Sequence, residues 1–233
     1  MQKLAITWYG HSTFVIRTPG GKRIVTDPFL ENNPVCPANM KKITDADLIL
    51  VTHGHADHTS DVPAVSRATK APIVAIYELA LWFERKGLTS VNGMGIGGTV
   101  NVAGLEISMV PAVHSSSVVE NETTVYLGQP TGFVVRMEDE QSFYFAGDTD
   151  VFGDMRLIGE RYAPKIGFLP IGDHFTMDPQ GAAMAARLLG VRQIVPMHYA
   201  TFPVLTGTPD QLRKLVEPHG IDVLVLKPGE TAQ

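Results

Sequence analysis

The chain has 233 residues, 44% of them hydrophobic and 18% charged, which excludes a disordered chain and is long enough for one sizeable core. A formal net charge of -5 with no basic run argues against nucleic acid or an anionic membrane as the main partner. The lone Cys36 excludes an intramolecular disulfide, and no apolar run approaches the ~20 residues that span a bilayer. The N-terminus shows no signal peptide, so the cytoplasm is the expected compartment.

The first third reads as strand-rich, with short β-prone runs over 5–9, 13–17 and 23–26 separated by turns such as Pro19-Gly20-Gly21. Leu48-Ile49-Leu50-Val51 is short, apolar and branched, and predicts a buried strand over 48–52. That strand runs into Thr52-His53-Gly54-His55-Ala56-Asp57-His58, an H-x-H-x-D-H pattern with three imidazoles and a carboxylate in six residues. Loops at the C-terminal ends of strands are where α/β folds hold ligands. Side chains i and i+2 of an extended segment point the same way, so His53 and His55 can present nitrogens to one metal ion. A turn at Ala56 lets Asp57 and His58 face a second ion. The alternative is a solvated polar turn, but with 8 histidines in the chain, three packed this densely have no packing reason. Nitrogen and oxygen donors without cysteine favour Zn(II), with Mn(II), Fe(II), Ni(II) and Co(II) as alternatives.

A helix is expected around 62–68, a strand over 72–76, and a helix over 78–86 stopped by Gly87. The middle is strand-rich again, over 99–102, 106–110, 132–137 and 142–146. Residues 93–98 carry four glycines but lack the Lys-Ser/Thr pair of a phosphate-binding loop, so they read as a turn. In the last third a strand over 165–170 precedes a helix with Asp178 as N-cap, Pro179 at its first position and Gly190 closing it. A strand over 193–197, a helix opened by Thr208-Pro209 and running to about 217, and a strand over 221–226 complete the chain. Each half thus moves from hairpins to strand–helix units. Two sheets packed face to face with helices outside would bury both, an α/β fold in the form of a four-layer αββα sandwich, as one domain over 1–233.

Three more candidate ligands each follow a predicted strand: His114 after the run ending at Val113, Asp148 after Phe143-Tyr144-Phe145-Ala146-Gly147, and His198 after Ile194-Val195-Pro196-Met197. H-x-H-x-D-H, a histidine, Gly-Asp-Thr and a further histidine, in this order, resemble the metallo-β-lactamase fold superfamily. Trp8-Tyr9-Gly10-His11-Ser12-Thr13, Phe152-Gly153-Asp154-Met155, Pro170-Ile171-Gly172-Asp173-His174-Phe175 and Pro196-Met197-His198-Tyr199 are similar to its bacterial and archaeal branch of metal-dependent hydrolases. That branch is similar in turn to L-ascorbate 6-phosphate lactonases and, more distantly, to a phospholipase D acting on N-acylethanolamine lipids.

The resemblance implies one ion on His53, His55 and His114, a second on Asp57, His58 and His198, and Asp148 bridging them. Asp27 matches the aspartate that supports the metal loop without binding metal. A histidine at His55, where flavin-diiron relatives carry glutamate, argues against that redox branch, and the chain has no room for the insert of a β-CASP nuclease. Two ions about 3.5–4 Å apart would hold a bridging hydroxide as nucleophile, and Asp57 would relay a proton to the leaving group. The expected function is hydrolysis of an ester, lactone or phosphoester of a small-molecule substrate. The competing classes are a metal-binding sensor without catalysis and a metal-dependent nuclease or phosphodiesterase. His11, His174 and Tyr199 are candidates for supporting a ligand or touching substrate, with structural roles as the alternative. Ser115, Ser116 and Ser117 read as a polar loop, and His219 as a helix C-terminal residue. Resemblance to lactonases suggests a homo-oligomer.

Overall fold

The computed structural model describes residues 2–233. Its first half opens with an antiparallel meander of β1 (Ala5–Gly10), β2 (Thr13–Arg17) and β3 (Arg23–Thr26). Parallel strands β4 (Leu48–Leu50), β5 (Ile73–Ile76) and β6 (Val91–Met94) extend that sheet. Helices α1 (Ala56–Thr59) and α2 (Val62–Thr69) connect β4 to β5, and α3 (Tyr77–Arg85) connects β5 to β6. β4 and β5 are buried along their whole length, which is why they read as continuous branched runs rather than as an alternating pattern.

The second half repeats the plan. β7 (Thr99–Val102), β8 (Leu105–Pro111), β11 (Thr131–Arg136) and β12 (Ser142–Phe145) form the antiparallel part of a second sheet. Between β8 and β11 a separate hairpin of β9 (Ser117–Glu120) and β10 (Thr123–Tyr126) stands off as its own two-stranded sheet. After α4 (Met155–Tyr162) come parallel β13 (Ile166–Pro170), α5 (Pro179–Leu189), β14 (Gln193–Met197), α6 (Pro209–Val216) and β15 (Asp222–Val223). The last strand, β16 (Thr231–Ala232), crosses back and pairs with β1, which ties the C-terminal segment to the first sheet.

Each large sheet has seven strands, and their inner faces meet in one apolar cluster. Phe14 of β2 lies edge-on to Phe168 of β13 at 5.1 Å and to Phe145 of β12 at 6.4 Å. Helices cover the outer faces, with α3 on β5 and β6, α5 on β13, and α6 on β15. The expected four-layer αββα sandwich is the architecture adopted. No helix of the described residues is long and apolar enough to cross a membrane.

Boundaries follow the sequence closely where caps and branched runs mark them. Asp178 caps α5 by accepting from Gly181 N–H at 2.8 Å, and Gly190 closes it in the left-handed region. Thr208 and Gln211 form a reciprocal capping box at α6. The expected strand over 221–226 shortens to Asp222–Val223, because β14 offers only Gln193 and Ile194 as partners before the chain turns back towards β1. The turn expected over 93–98 begins as strand: Gly93 and Met94 belong to Val91–Met94, which pairs with β5, and only the residues beyond them turn.

Candidate metal centre

The loops after β3, β4, β8, β12 and β14 all open at one end of the sandwich, and the turn between β1 and β2 joins them. His11 carries that turn, its carbonyl accepting from Trp8 Nε1–H at 3.0 Å and from His198 N–H at 3.1 Å. One backbone carbonyl thereby fixes the end of the first sheet against the end of the second. Gly147, just before Asp148, sits at φ 64 in a gap where a Cβ would lie 2.7 Å from Thr52 Cβ and 2.8 Å from Thr131 O. Only glycine lets the two sheets approach this closely while aiming Asp148 inward. His11 (φ 56), Asp27 (φ 37) and His198 (φ 54) are non-glycine residues in the left-handed region, a conformation that costs energy and collects at functional sites.

Within H-x-H-x-D-H, His55 is extended at φ -65 and ψ 149 and serves as N-cap of α1, which begins at Ala56. The predicted turn is therefore a single helical turn. It swings Asp57 and His58 round from His55, while the His58 ring stays 4.1 Å from the His53 ring. Two donor groups frame the centre, and a third, Asp27 with His53 and His58, lies behind them. His53, His55 and His114 converge, with His53 Nε2 3.0 Å and His114 Nε2 3.3 Å from His55 Nδ1. His11, Asp57, His58 and His198 form the second. Asp148 Oδ2 lies between them, 3.0 Å from His198 Nε2, 3.3 Å from His58 Nε2, 3.7 Å from His114 Nε2 and 4.0 Å from His53 Nε2.

Hydrogen bonds behind the ring nitrogens fix which of them are free. Thr52 Oγ1 donates to Asp27 Oδ2 at 2.7 Å, so it accepts from His53 Nδ1–H at 3.0 Å, and His53 Nε2 faces the centre with its lone pair. His58 Nδ1–H donates to the same Asp27 oxygen at 2.8 Å, which leaves His58 Nε2 as a second inward lone pair. His58 Nε2 and Asp148 Oδ1 are buried and have no partner of hydrogen-bond geometry. Lone pairs aimed at a shared carboxylate repel unless a cation lies among them. Neutral imidazoles and ionised carboxylates without thiolate are the donor set of a divalent transition metal, so these residues fit such ions.

The electrostatics agree. Burial and the neighbouring His58 imidazole push His53 well below its usual value, and the same two causes lower His55. Burial lowers His114 as well. Burial opposes charge on His58, but Asp148, Asp57 and Asp27 together raise it well above its usual value, so without an ion a proton holds the Nε2 position that a bound cation would take over. Those carboxylates would draw any cation. Burial raises Asp148 and Asp57, yet His198 and His58 beside Asp148, and His58 and His11 beside Asp57, hold both below the usual carboxylate range.

The remaining predicted residues separate. Asp27 is fully buried, with Oδ1 accepting from Thr52 N–H at 2.8 Å and Oδ2 taking Thr52 and His58. Burial raises its pKa, and these donors oppose that rise. His11 is also fully buried, with Nε2 3.0 Å from Asp57 Oδ2 and Nδ1 3.0 Å from Thr201 Oγ1. Burial brings its pKa down to about 4, so the ring is neutral and has one N–H to give. The Tyr199 ring stacks on Trp8 at 5.0 Å and lines a groove with Val35, Pro209 and Leu226. His174 is exposed against the Phe175 ring at 4.4 Å and belongs to neither donor group. Sequence reasoning missed Thr52, and it read Ser115 and Ser116 only as loop. Ser116 Oγ accepts from Gly54 N–H at 3.0 Å, and Ser115 Oγ lies 3.3 Å from His55 Nε2. Hydroxyls next to ligand candidates carry no spacing signal.

Residues 22–199 match the family model described as the beta-lactamase superfamily domain. The chain is 45% identical over 231 residues to a metal-dependent hydrolase of Koribacter versatilis, covering 99% of this chain and 98% of that one. It is 48% identical over 228 residues to one from Rubrobacter xylanophilus, covering 97% and 94%. Among solved structures, a metallo hydrolase from the archaeon Ignicoccus hospitalis superposes with a TM-score of 0.86 at 37% identity, covering 98% of this chain and 97% of that one.

Proposed function

The chain belongs to the beta-lactamase superfamily, in the branch of its metal-dependent hydrolase relatives, and from that premise we propose that it cleaves an ester, lactone or phosphoester of a small molecule with two divalent ions, Zn(II) foremost. One ion is assigned to His53, His55 and His114 and the other to Asp57, His58 and His198, with Asp148 shared, in one hydrolase domain over 1–233. The observation that carries this reading is Asp148 Oδ2, set 3.0 to 4.0 Å from four imidazoles drawn from both donor groups. A pair of bound divalent ions supplies a water of lowered pKa as nucleophile and polarises the bond it attacks.

The protein's own side chains do the rest. Asp27 holds His58 by its Nδ1–H and the Thr52 hydroxyl together, so that neither can rotate. His11 donates Nε2–H to Asp57 Oδ2 and accepts the Thr201 hydroxyl at Nδ1, which fixes Asp57. Asp57 is 31% exposed, while Asp148 is 3% exposed, so Asp57 is the carboxylate that reaches arriving substrate. Against the effect of burial, His58 and His11 keep Asp57 ionised, as a metal ligand must be, and it is the carboxylate assigned to pass a proton to the leaving group.

The test is metal analysis of the purified protein beside His55→Ala and Asp148→Ala. About two ions per chain are expected, with a lower load in both variants. An unchanged load in both would sink the ligand assignment. Full metal without hydrolysis of any ester, lactone or phosphodiester would favour a binding protein.

A further inference from the structure

The surroundings of the two donor groups bear on the substrate. His53, His58, His198 and Asp148 are at most 3% exposed, whereas Asp57 is 31% and His114 13% exposed, so the centre opens on the side of those two residues. From His114 a cleft of about 590 Å³ runs along Ser115, Ser117, Thr124 and Gln129, walled by Tyr126 and Ile96. Its size suits a small molecule. Apart from His114, none of its lining residues is titratable near neutral pH.

The loops around the centre are equally short of cations. No Lys or Arg occurs over 10–13, 27–37, 51–61, 111–117, 126–131, 146–154, 171–178 or 197–208, and of Lys41 and Lys42 further along the loop after β3, Lys41 is engaged by the Glu31 carbonyl. These segments instead expose Glu31, Asp150, Asp154 and Asp173. Lys86, which reaches the β9–β10 hairpin, is paired with Glu120 and lies over the Trp82 ring. Arg and Lys are the favoured donors to a substrate phosphate or carboxylate, and none lines the cleft. Hydroxyls and a carboxamide instead pair with uncharged donors and acceptors, and Tyr126 offers an apolar face.

We propose that this centre takes an uncharged, hydroxyl-bearing ester or lactone whose non-reacting portion lies in the cleft beside His114, and that it discriminates against phosphorylated or carboxylate-bearing substrates. The inference rests on the hydrolase reading above and narrows it from three bond types to two.

It is tested on protein carrying its full metal load, with matched pairs: D-glucono-1,5-lactone against its 6-phosphate, and 4-nitrophenyl butyrate against 4-nitrophenyl phosphate. The uncharged member is expected to show at least roughly tenfold higher kcat/KM, the scale on which local charge alters encounter. Gln129→Arg and Thr124→Lys, both at exposed positions, place a cation in the cleft and should narrow the lactone ratio. A preference for the phosphorylated member in the unaltered protein would overturn the inference and leave the hydrolase reading standing. So would a lactone ratio indifferent to both substitutions. Turnover of no member by metal-loaded protein would overturn the hydrolase reading, and this inference with it.

Discussion

Asp27 shows how much of the centre depends on a side chain outside both donor groups. Its two oxygens take three donors: Thr52 N–H, Thr52 O–H and His58 Nδ1–H. Asp27→Asn keeps the volume but turns one oxygen into a donor, so an N–H faces Thr52 N–H or His58 Nδ1–H in a site with no water access. A buried unpaired polar group costs about 1–3 kcal/mol, and loss of a ligand's supporting partner typically lowers metal affinity 10–100-fold. Both losses are expected together, read as a lower thermal midpoint and as weaker retention of metal in a chelator titration. A variant with normal metal affinity and only a stability defect would reduce Asp27 to a packing residue. Asp27 was legible in the sequence through its resemblance to a family motif. Thr52, which bonds Asp27 and His53, was not, because a threonine at the end of a buried strand reads as an ordinary β-branched residue.

Elements divide into those whose ends are written locally and those set by tertiary contact. α5 is of the first kind: Asp178, Pro179 and Gly190 mark its limits, and the structure starts and stops it there. α4 is of the second. Met155-Arg156-Leu157-Ile158-Gly159-Glu160-Arg161-Tyr162 buries only Met155 and Ile158, so its periodicity is too weak to read, and packing against α5 makes the helix. The β9–β10 hairpin escaped for a related reason. Its faces are largely exposed, so alternation carries no burial signal, although Asn121 and Glu122 at φ 48 and 62 form the two-residue turn. The same division separates two substitutions. Asp178→Ala removes a cap and should cost about 1 kcal/mol with metal load unchanged. Gly172→Ala places a Cβ 2.0 Å from His198 O, backbone against side chain, so the segment carrying His198 must move. It should cost about 1–3 kcal/mol and also lower the metal load. Unfolding curves with metal analysis on both proteins check the contrast, and an unaffected metal load in Gly172→Ala would show that the loop yields without disturbing His198.

At the scale of the molecule, the donors divide between the two sheets. His11, Asp27 and the His53–His58 loop hang from the first sheet, and His114, Asp148 and His198 from the second. Each proposed ion takes ligands from both sheets, so binding should brace the open end of the sandwich, while Phe14, Phe145 and Phe168 hold its middle by apolar packing alone. Sequence spacing pointed to the proposed ligands but not to this division, since which sheet a strand joins depends on pairings such as β16 with β1 that no local pattern records. Removing metal should therefore leave the protein folded but less stable. A ligand that binds only the native state at a hundred times its Kd contributes about 2.7 kcal/mol, and for a chain of this length that is roughly 5–10 °C in thermal midpoint. Chelated and reloaded protein should differ by about that much. Asp148→Ala, lacking the carboxylate that both donor groups approach, should lose most of the difference. Hydrogen exchange locates the effect: protection should fall after chelation at the strand-end amides of Thr52, Thr131 and His198 and persist in β2 and β13. Uniform loss of protection through both sheets would mean that the ions hold the whole sandwich together. No loss at the strand ends would mean that they do not bridge the sheets.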